Sequence, residues 1–281
     1  MAGVRVVTDS GADIPKELRE ELGIAVVPLT IHFGDEEFKD GVDLDTAAFY
    51  ARLRAGGQPR TTQPSPADFE AVYRRLQEEG AEAIVSCHLS SEMSGTMQSA
   101  VLASTMESIK VRVHVVDTRS ASIGIGLCAI EAARLARAGK PVEEIVAHVQ
   151  GIVKRLQVYF LVDTLEYLHR NGRIGRASAF LGGLLNIKPL LTIDDGVVAP
   201  LERARGRAKA RARLVELVKA GVGDSKVRMG VVHADAREEG EALAAELQSS
   251  LNVEELILTE LGPTIGTHVG PGTMGVVCYT V

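Results

Sequence analysis

The chain has 281 residues, of which 46% are hydrophobic and 24% charged, an ordinary globular balance that excludes disordered and fibrous classes. That length suits two modest domains sharing a cleft. A net charge of −6 argues against general binding to nucleic-acid phosphates. With no charged and apolar leader pattern at its start and no apolar run long enough to cross a bilayer, the chain is expected to be cytoplasmic.

Three cysteines, Cys87, Cys128 and Cys278, are odd in number and embedded in apolar segments. They read as small buried hydrophobes and not as a disulfide framework or a zinc site. No metal or other cofactor is expected. Tryptophan is absent and aromatics make up 4% of the chain, so no base-stacking or sugar-stacking surface is indicated.

In chain order, apolar β-branched runs alternate with helical patterns: Val4–Thr8, a helix from Pro15, Ile24–Phe33, helix Asp45–Arg54, a helix from Ser65, Ala83–Cys87, a helix from Ser94, Val111–Asp117 and helix Ile123–Ala138. Near-continuous apolar strands between helices predict a parallel sheet covered on both faces. Helix Val142–Leu156 then leads into strand Gln157–Val162, after which the pattern changes. Ile187–Ile193, the turn Asp194-Asp195-Gly196 and Val197–Leu201 predict a hairpin. Lys226–His233, a helix Glu238–Leu251, Glu255–Leu261 and Gly275–Val281 complete a mixed second half. The expectation is an α/β fold of two domains sharing a cleft, a parallel-sheet α/β unit over residues 1–156 and a mixed-sheet α+β unit over 157–281.

Five stretches could bind oxygen atoms. After the strand ending near Cys87, Ser90-Ser91 and Ser94-Gly95-Thr96 place hydroxyls and unpaired N–H groups at a helix start, which attracts anions. Ser94 could equally do no more than cap that helix. It is no nucleophile elbow, because Glu92-Met93 precedes it where a glycine is required. Thr61-Thr62-Gln63-Pro64 forms an extended approach to a helix capped by Ser65 with Pro66 at its first position. His268 lies among Gly262, Pro263, Gly266, Gly270, Pro271 and Gly272, a composition that predicts a tight loop able to approach a ligand. Arg173 follows a short amphipathic helix ending at Asn171-Gly172 and could offer a planar fork to a carboxylate or tie two loops together. Finally, Arg203, Arg205, Arg207, Lys209, Arg211 and Arg213 crowd a helix start, where the dipole opposes cations. That is either solvated surface or a face for a phosphate or an acidic partner. Gly124-Ile125-Gly126 imitates a dinucleotide fingerprint, but it does not follow directly on its strand, and close helix packing explains it better.

Taken in order, Val7-Thr8-Asp9-Ser10-Gly11-Ala12-Asp13-Ile14-Pro15, Thr61–Pro66, Ser90–Ala100, Asn171–Gly175 and Gly270–Gly272 resemble the DegV family of fatty-acid-binding proteins from end to end. The resemblance implies a two-domain fold enclosing one long-chain fatty acid, whose carboxylate is held by Thr61, Ser94 and His268 with Arg173 supporting them. Thr62 and Gly95 belong to the same motifs; the usual Thr-Ser of the first is Thr61-Thr62 here, so either threonine could reach the carboxylate. Members of the FakB type present the acid to a separate ATP-dependent fatty acid kinase, so this chain would be a carrier in phospholipid metabolism and not an enzyme. Arg205, with Arg203 and Arg207 beside it, would face that kinase. No nucleic acid and no integral membrane association are expected.

The acyl tail needs only a dry aliphatic tunnel. Ile123, Ile125, Leu127, Ala179, Phe180, Leu181, Leu184 and Leu185 are its expected walls. Two other readings compete: a hydrolase or transferase using Ser94 and His268 on a small acyl substrate, which lacks a visible third member to orient the histidine, and DNA binding through Arg203–Arg213.

Overall fold

The structure, a computed structural model, describes residues 3–182 and 186–281. The first part runs β1 (Gly3–Asp9), α1 (Lys16–Leu22), β2 (Ala25–Val27), β3 (Thr30–Phe33), β4 (Glu36–Lys39), α2 (Thr46–Arg54), β5 (Pro59–Thr62), α3 (Pro66–Glu78), β6 (Ala81–His88), α4 (Thr96–Ser104), β7 (Arg112–Asp117), α5 (Ile123–Arg137) and α6 (Val142–Val153). The second runs β8 (Gln157–Leu161), α7 (Glu166–Arg170), β9 (Ile187–Asp194), β10 (Val197–Arg205), α8 (Arg207–Val222), β11 (Val227–His233), α9 (Arg237–Ser250), β12 (Val253–Glu260), α10 (Pro263–Val269) and β13 (Met274–Thr280). Among the described residues, every strand before Gln157 lies in one of two sheets, and every strand from there on lies in a third.

The first sheet is parallel, in the order β2-β1-β6-β7. The run Ile24–Phe33, expected as one strand, is broken. Val27 still pairs with Asp9 in that sheet, whereas Thr30–Phe33 pairs antiparallel with β4 and β5 in a separate three-stranded sheet. Pro28 supplies the physical cause: it has no N–H to donate to a ladder, so the strand ends there and the chain changes sheet.

The third sheet is mixed, in the order β10-β9-β8-β13-β11-β12, with only β11 and β12 parallel. Its hairpin turns at Asp195 and Gly196, whose φ angles of 54° and 79° are those of a tight primed turn. Side chains alternate across this sheet. Met229, Val231, Met274, Val276 and Cys278 on one face pack with Leu214, Val218, Leu243 and Leu247 of α8 and α9. Val158, Phe160, Val232 and Val277 on the other join the core that contains α5.

α5 is therefore sandwiched between two sheets. A Cβ on Gly124 would fall 2.1 Å from Ser120 Oγ, and one on Gly126 would fall 2.8 Å from the Ala12 carbonyl. Close packing, against a side chain at Gly124 and a backbone carbonyl at Gly126, is what these glycines serve.

Candidate functional site

Thr61 and Thr62 are adjacent on β5 and so point to opposite faces. The register sets Thr61 opposite Ile31 and Thr62 opposite Thr30. Thr61 Oγ1 lies 2.9 Å from His268 Nε2, whereas Thr62 Oγ1 lies 2.9 Å from His32 Nε2 on the outside. Of the two threonines only Thr61 lines the cavity described below.

His268 sits in α10 and not, as expected, on a tight loop. Pro263 opens the helix at its first turn and Gly270, at φ 74°, ends it. That Pro-to-Gly bracket is itself a helix signal, one obscured by Gly266 in between. Gly266 is required there because a Cβ would come within 2.7 Å of the Phe49 ring and 2.8 Å of Tyr50 Oη. Buried this way, His268 is the opposite of a solvated loop residue, and burial, with Arg173 nearby, pushes its pKa down to about 4. It is neutral near pH 7. One ring nitrogen engages Thr61, and Nδ1 is buried with no partner among the described residues.

Ser94 stands one residue before the cap of α4, which is Gly95. Its Oγ lies 2.8 Å from Thr96 Oγ1 and accepts from the Thr96 N–H at 3.3 Å. Gly95 does not line the cavity. A Cβ on it would fall 2.3 Å from Gln63 Oε1, so its bareness lets the end of the Thr61 segment lie against the helix start and brings Thr61 and Ser94 to one place. Arg173 Nε donates to the Met93 carbonyl at 3.2 Å and Nη1 donates to the Asn171 carbonyl at 2.8 Å. Asn171 in turn donates to the Thr267 carbonyl at 3.0 Å, next to His268. Carbonyl anchors from both halves of the chain thus position one guanidinium without neutralising it.

Thr61, Ser94, Arg173 and His268 line a single cavity of about 840 Å³, mouth included. The rest of its wall is largely aliphatic, with Leu89, Val158, Phe160, Ile193, Val232 and Val277 contributing. One cation, two hydroxyls and a neutral imidazole at the edge of an apolar hollow suit an anion with a long hydrocarbon tail. They do not make a nucleophile and base, because His268 Nε2 meets Thr61 instead of Ser94, and among the described residues no carboxylate meets Nδ1.

The expected tunnel walls lie elsewhere. Ile123, Ile125 and Leu127 are buried in the core around α5, because a helix clasped by two sheets spends its apolar side chains on packing those layers. Phe180 lies under the Arg203 guanidinium, 4.3 Å from its ring centroid. Ala179 accepts a hydrogen bond from Arg203, and Leu181 is exposed. Leu184 and Leu185 fall outside the described residues. The cavity described above is walled in part by strands of the third sheet; their alternation was visible in Gln157–Val162 and Lys226–His233, but not which face would stay uncovered.

Three of the six cations in the basic segment are ion-paired. Arg207 contacts Asp163 at 2.7 Å and Glu239 at 2.8 Å, Arg211 contacts Glu246 at 2.8 Å, and Arg213 contacts Glu202 at 2.7 Å and Glu216 at 2.6 Å. Pairing of half its cations, in a chain of net charge −6, makes this face a poor nucleic-acid surface. Arg205 is exposed, with no ion pair among the described residues. Among the described residues no helix is long and apolar enough to cross a membrane, and no cluster suits a metal ion.

Sequence reasoning missed a second histidine network. Tyr73 Oη, Ser86 Oγ, His88 and Asp9 form a chain with separations of 2.8, 2.6 and 2.9 Å, sealed beneath the parallel sheet's end. Asp9 also accepts from the Leu89 and Gly11 N–H groups. Period-2 spacing of Ser86 and His88 was its only local signal.

A family model described as a DegV family protein matches residues 3–281. A DegV domain-containing protein of Caldanaerobacter subterraneus is 39% identical, the match covering 98% of each chain. Among solved structures, a DegV family protein of Thermus thermophilus described by its fatty acid binding superposes with a TM-score of 0.92 at 40% identity, covering 99% of this chain and 100% of that one. DegV of Bacillus subtilis, described as a fatty acid binding protein, superposes at 0.88 with 35% identity over 99% of each. The full-length family match, the identities and the superpositions agree: this chain belongs to the DegV family.

Proposed function

We propose that the chain binds one long-chain fatty acid in the cavity between its two units, residues 1–156 and 157–281, with the carboxylate at Thr61, Ser94, His268 and Arg173. The observation that carries this is a hydrocarbon-lined hollow with polar side chains gathered at one place, in a chain closely similar to proteins described as binding fatty acids. Each methylene buried contributes about 0.8 kcal/mol, so the tail supplies most of the affinity and the head group sets orientation. The neutral imidazole donates or accepts a hydrogen bond without adding charge, and Arg173 compensates the carboxylate. The lipid is then presented to a separate fatty acid kinase for acyl-phosphate formation, and exposed Arg205, flanked by Arg203 and Arg207, faces that partner.

Mass spectrometry of organic extracts from purified protein tests the first part. A long-chain acid at one per chain is expected, with His268→Ala and Ser94→Ala retaining at least tenfold less. Protein that is empty and takes up no long-chain acid overturns the reading. Arg205→Glu is expected to retain lipid and to lower acyl-phosphate formation severalfold with a fatty acid kinase; unchanged turnover removes Arg205 from the docking face.

A further inference from the structure

The face of the third sheet that looks toward α5 carries two glycines in neighbouring rows. Gly230 pairs with Val277, and Gly275 pairs with Val232 on one side and Phe160 on the other. Directly opposed residues in antiparallel strands share a face, so a side chain at Gly275 would project on the side of Val232 and Phe160, both of which line the cavity. The two glycines are used differently. A Cβ on Gly230 would meet Ile123 at 2.4 Å, so α5 inserts a side chain into that gap. For Gly275 the three nearest atoms are Val232 Cγ2 at 3.0 Å, Phe160 Cβ at 3.2 Å and the Tyr159 carbonyl at 3.5 Å, all from its own sheet. None of those three atoms comes from the opposite layer, in contrast to Gly230, and Gly275 itself lines the cavity.

We propose that Gly275 is a specificity-determining residue: its missing side chain leaves a hollow in the cavity floor that admits part of the acyl chain, and so decides which chain lengths are accepted. A glycine inside a central strand weakens the strand and leaves core volume unpacked; a groove for hydrocarbon gives it a use. The inference rests on the fatty-acid reading.

The test offers purified, delipidated protein an equimolar mixture of lauric, palmitic, stearic and oleic acids and measures bound composition by native mass spectrometry. Gly275→Val is expected to shift occupancy toward lauric acid and to weaken stearic acid about tenfold or more, as exclusion of two methylenes implies. Gly275→Ala should shift the same way by less. Val232→Ala, which widens the same hollow and places no new atom in the sheet, should favour the longer acids. Wild-type composition in Gly275→Ala and Val232→Ala overturns the proposal even if Gly275→Val does not fold. Wild-type protein that binds none of the four acids overturns instead the reading on which it rests.

Discussion

Two histidines of this molecule, His88 fully buried and His268 partly so, have opposite surroundings. His88 has both ring nitrogens engaged, by Ser86 and Asp9, in a chain closed at one end by Tyr73 and at the other by backbone N–H groups. His268 has one nitrogen on Thr61 and the other unpartnered among the described residues, at the wall of an apolar cavity. A complete network is what burial demands of polar groups that only hold a fold together. An incomplete one beside a hollow is tolerated where something else completes it. The Ser86-His88-Asp9 geometry looks more like catalytic machinery than the His268 site does, yet all three are fully buried. Accessibility, not the identity of the residues, separates the two networks.

The largest expected effect breaks the comparison from the closed side. Asp9→Ala strips His88 and two backbone N–H groups of their acceptor inside the core, and each buried group left unsatisfied costs about 1–3 kcal/mol. Urea denaturation should show the midpoint collapsing, with lipid lost only because the fold is. A variant as stable as the wild type would mean that the network is not structural, and the contrast with His268 would fail.

A smaller effect concerns acid. The pKa of His268 is depressed to about 4 by burial, so between its unfolded value of about 6.5 and 4 the unfolded chain binds the proton that the folded chain refuses. Stability supplied by the neutral ring is whole above pH 6.5 and drains as pH falls toward 4. His268→Gln removes that loss. Comparing unfolding free energies at pH 7 and pH 4.5, the variant should gain about 2 kcal/mol relative to the wild type on acidification. A parallel pair of curves would show that the imidazole is already solvated.

The contrast also explains what the sequence made legible. Parallel-sheet alternation, the Asp195-Gly196 hairpin and the helix starts at Ser65 and Asp45 are local signals, and all appear in the structure. The change of sheet at Pro28 and the short helix holding His268 were local too, but each was masked, by a continuous β-branched run in one case and by Gly266 in the other. The cavity walls were not local. Ile123, Ile125 and Leu127 are as apolar as Val158, Phe160 and Val277; which set borders empty space depends on how far apart two layers rest, and no residue pattern along the chain encodes that distance. The charged segment was illegible for a similar reason, since the partners of Arg207 and Arg211 are Asp163, Glu239 and Glu246, distant in sequence.

The finest test of the open site lies between two adjacent threonines. Thr61 and Thr62 have the same chemistry and strand, and differ in face alone: one hydroxyl meets His268, the other His32. Valine matches threonine in shape and deletes only the hydroxyl, so each substitution removes about 1 kcal/mol of hydrogen bonding. Thr61→Val should weaken fatty-acid binding about fivefold, because that hydroxyl holds the imidazole and lines the cavity, while Thr62→Val should leave binding unchanged and alter stability by no more than about 1 kcal/mol. Titration of a fluorescent fatty acid into delipidated protein reads both. Equal losses from the two variants would mean that β5 can rotate or slip its register, and that the side facing the cavity is not the one that holds the lipid.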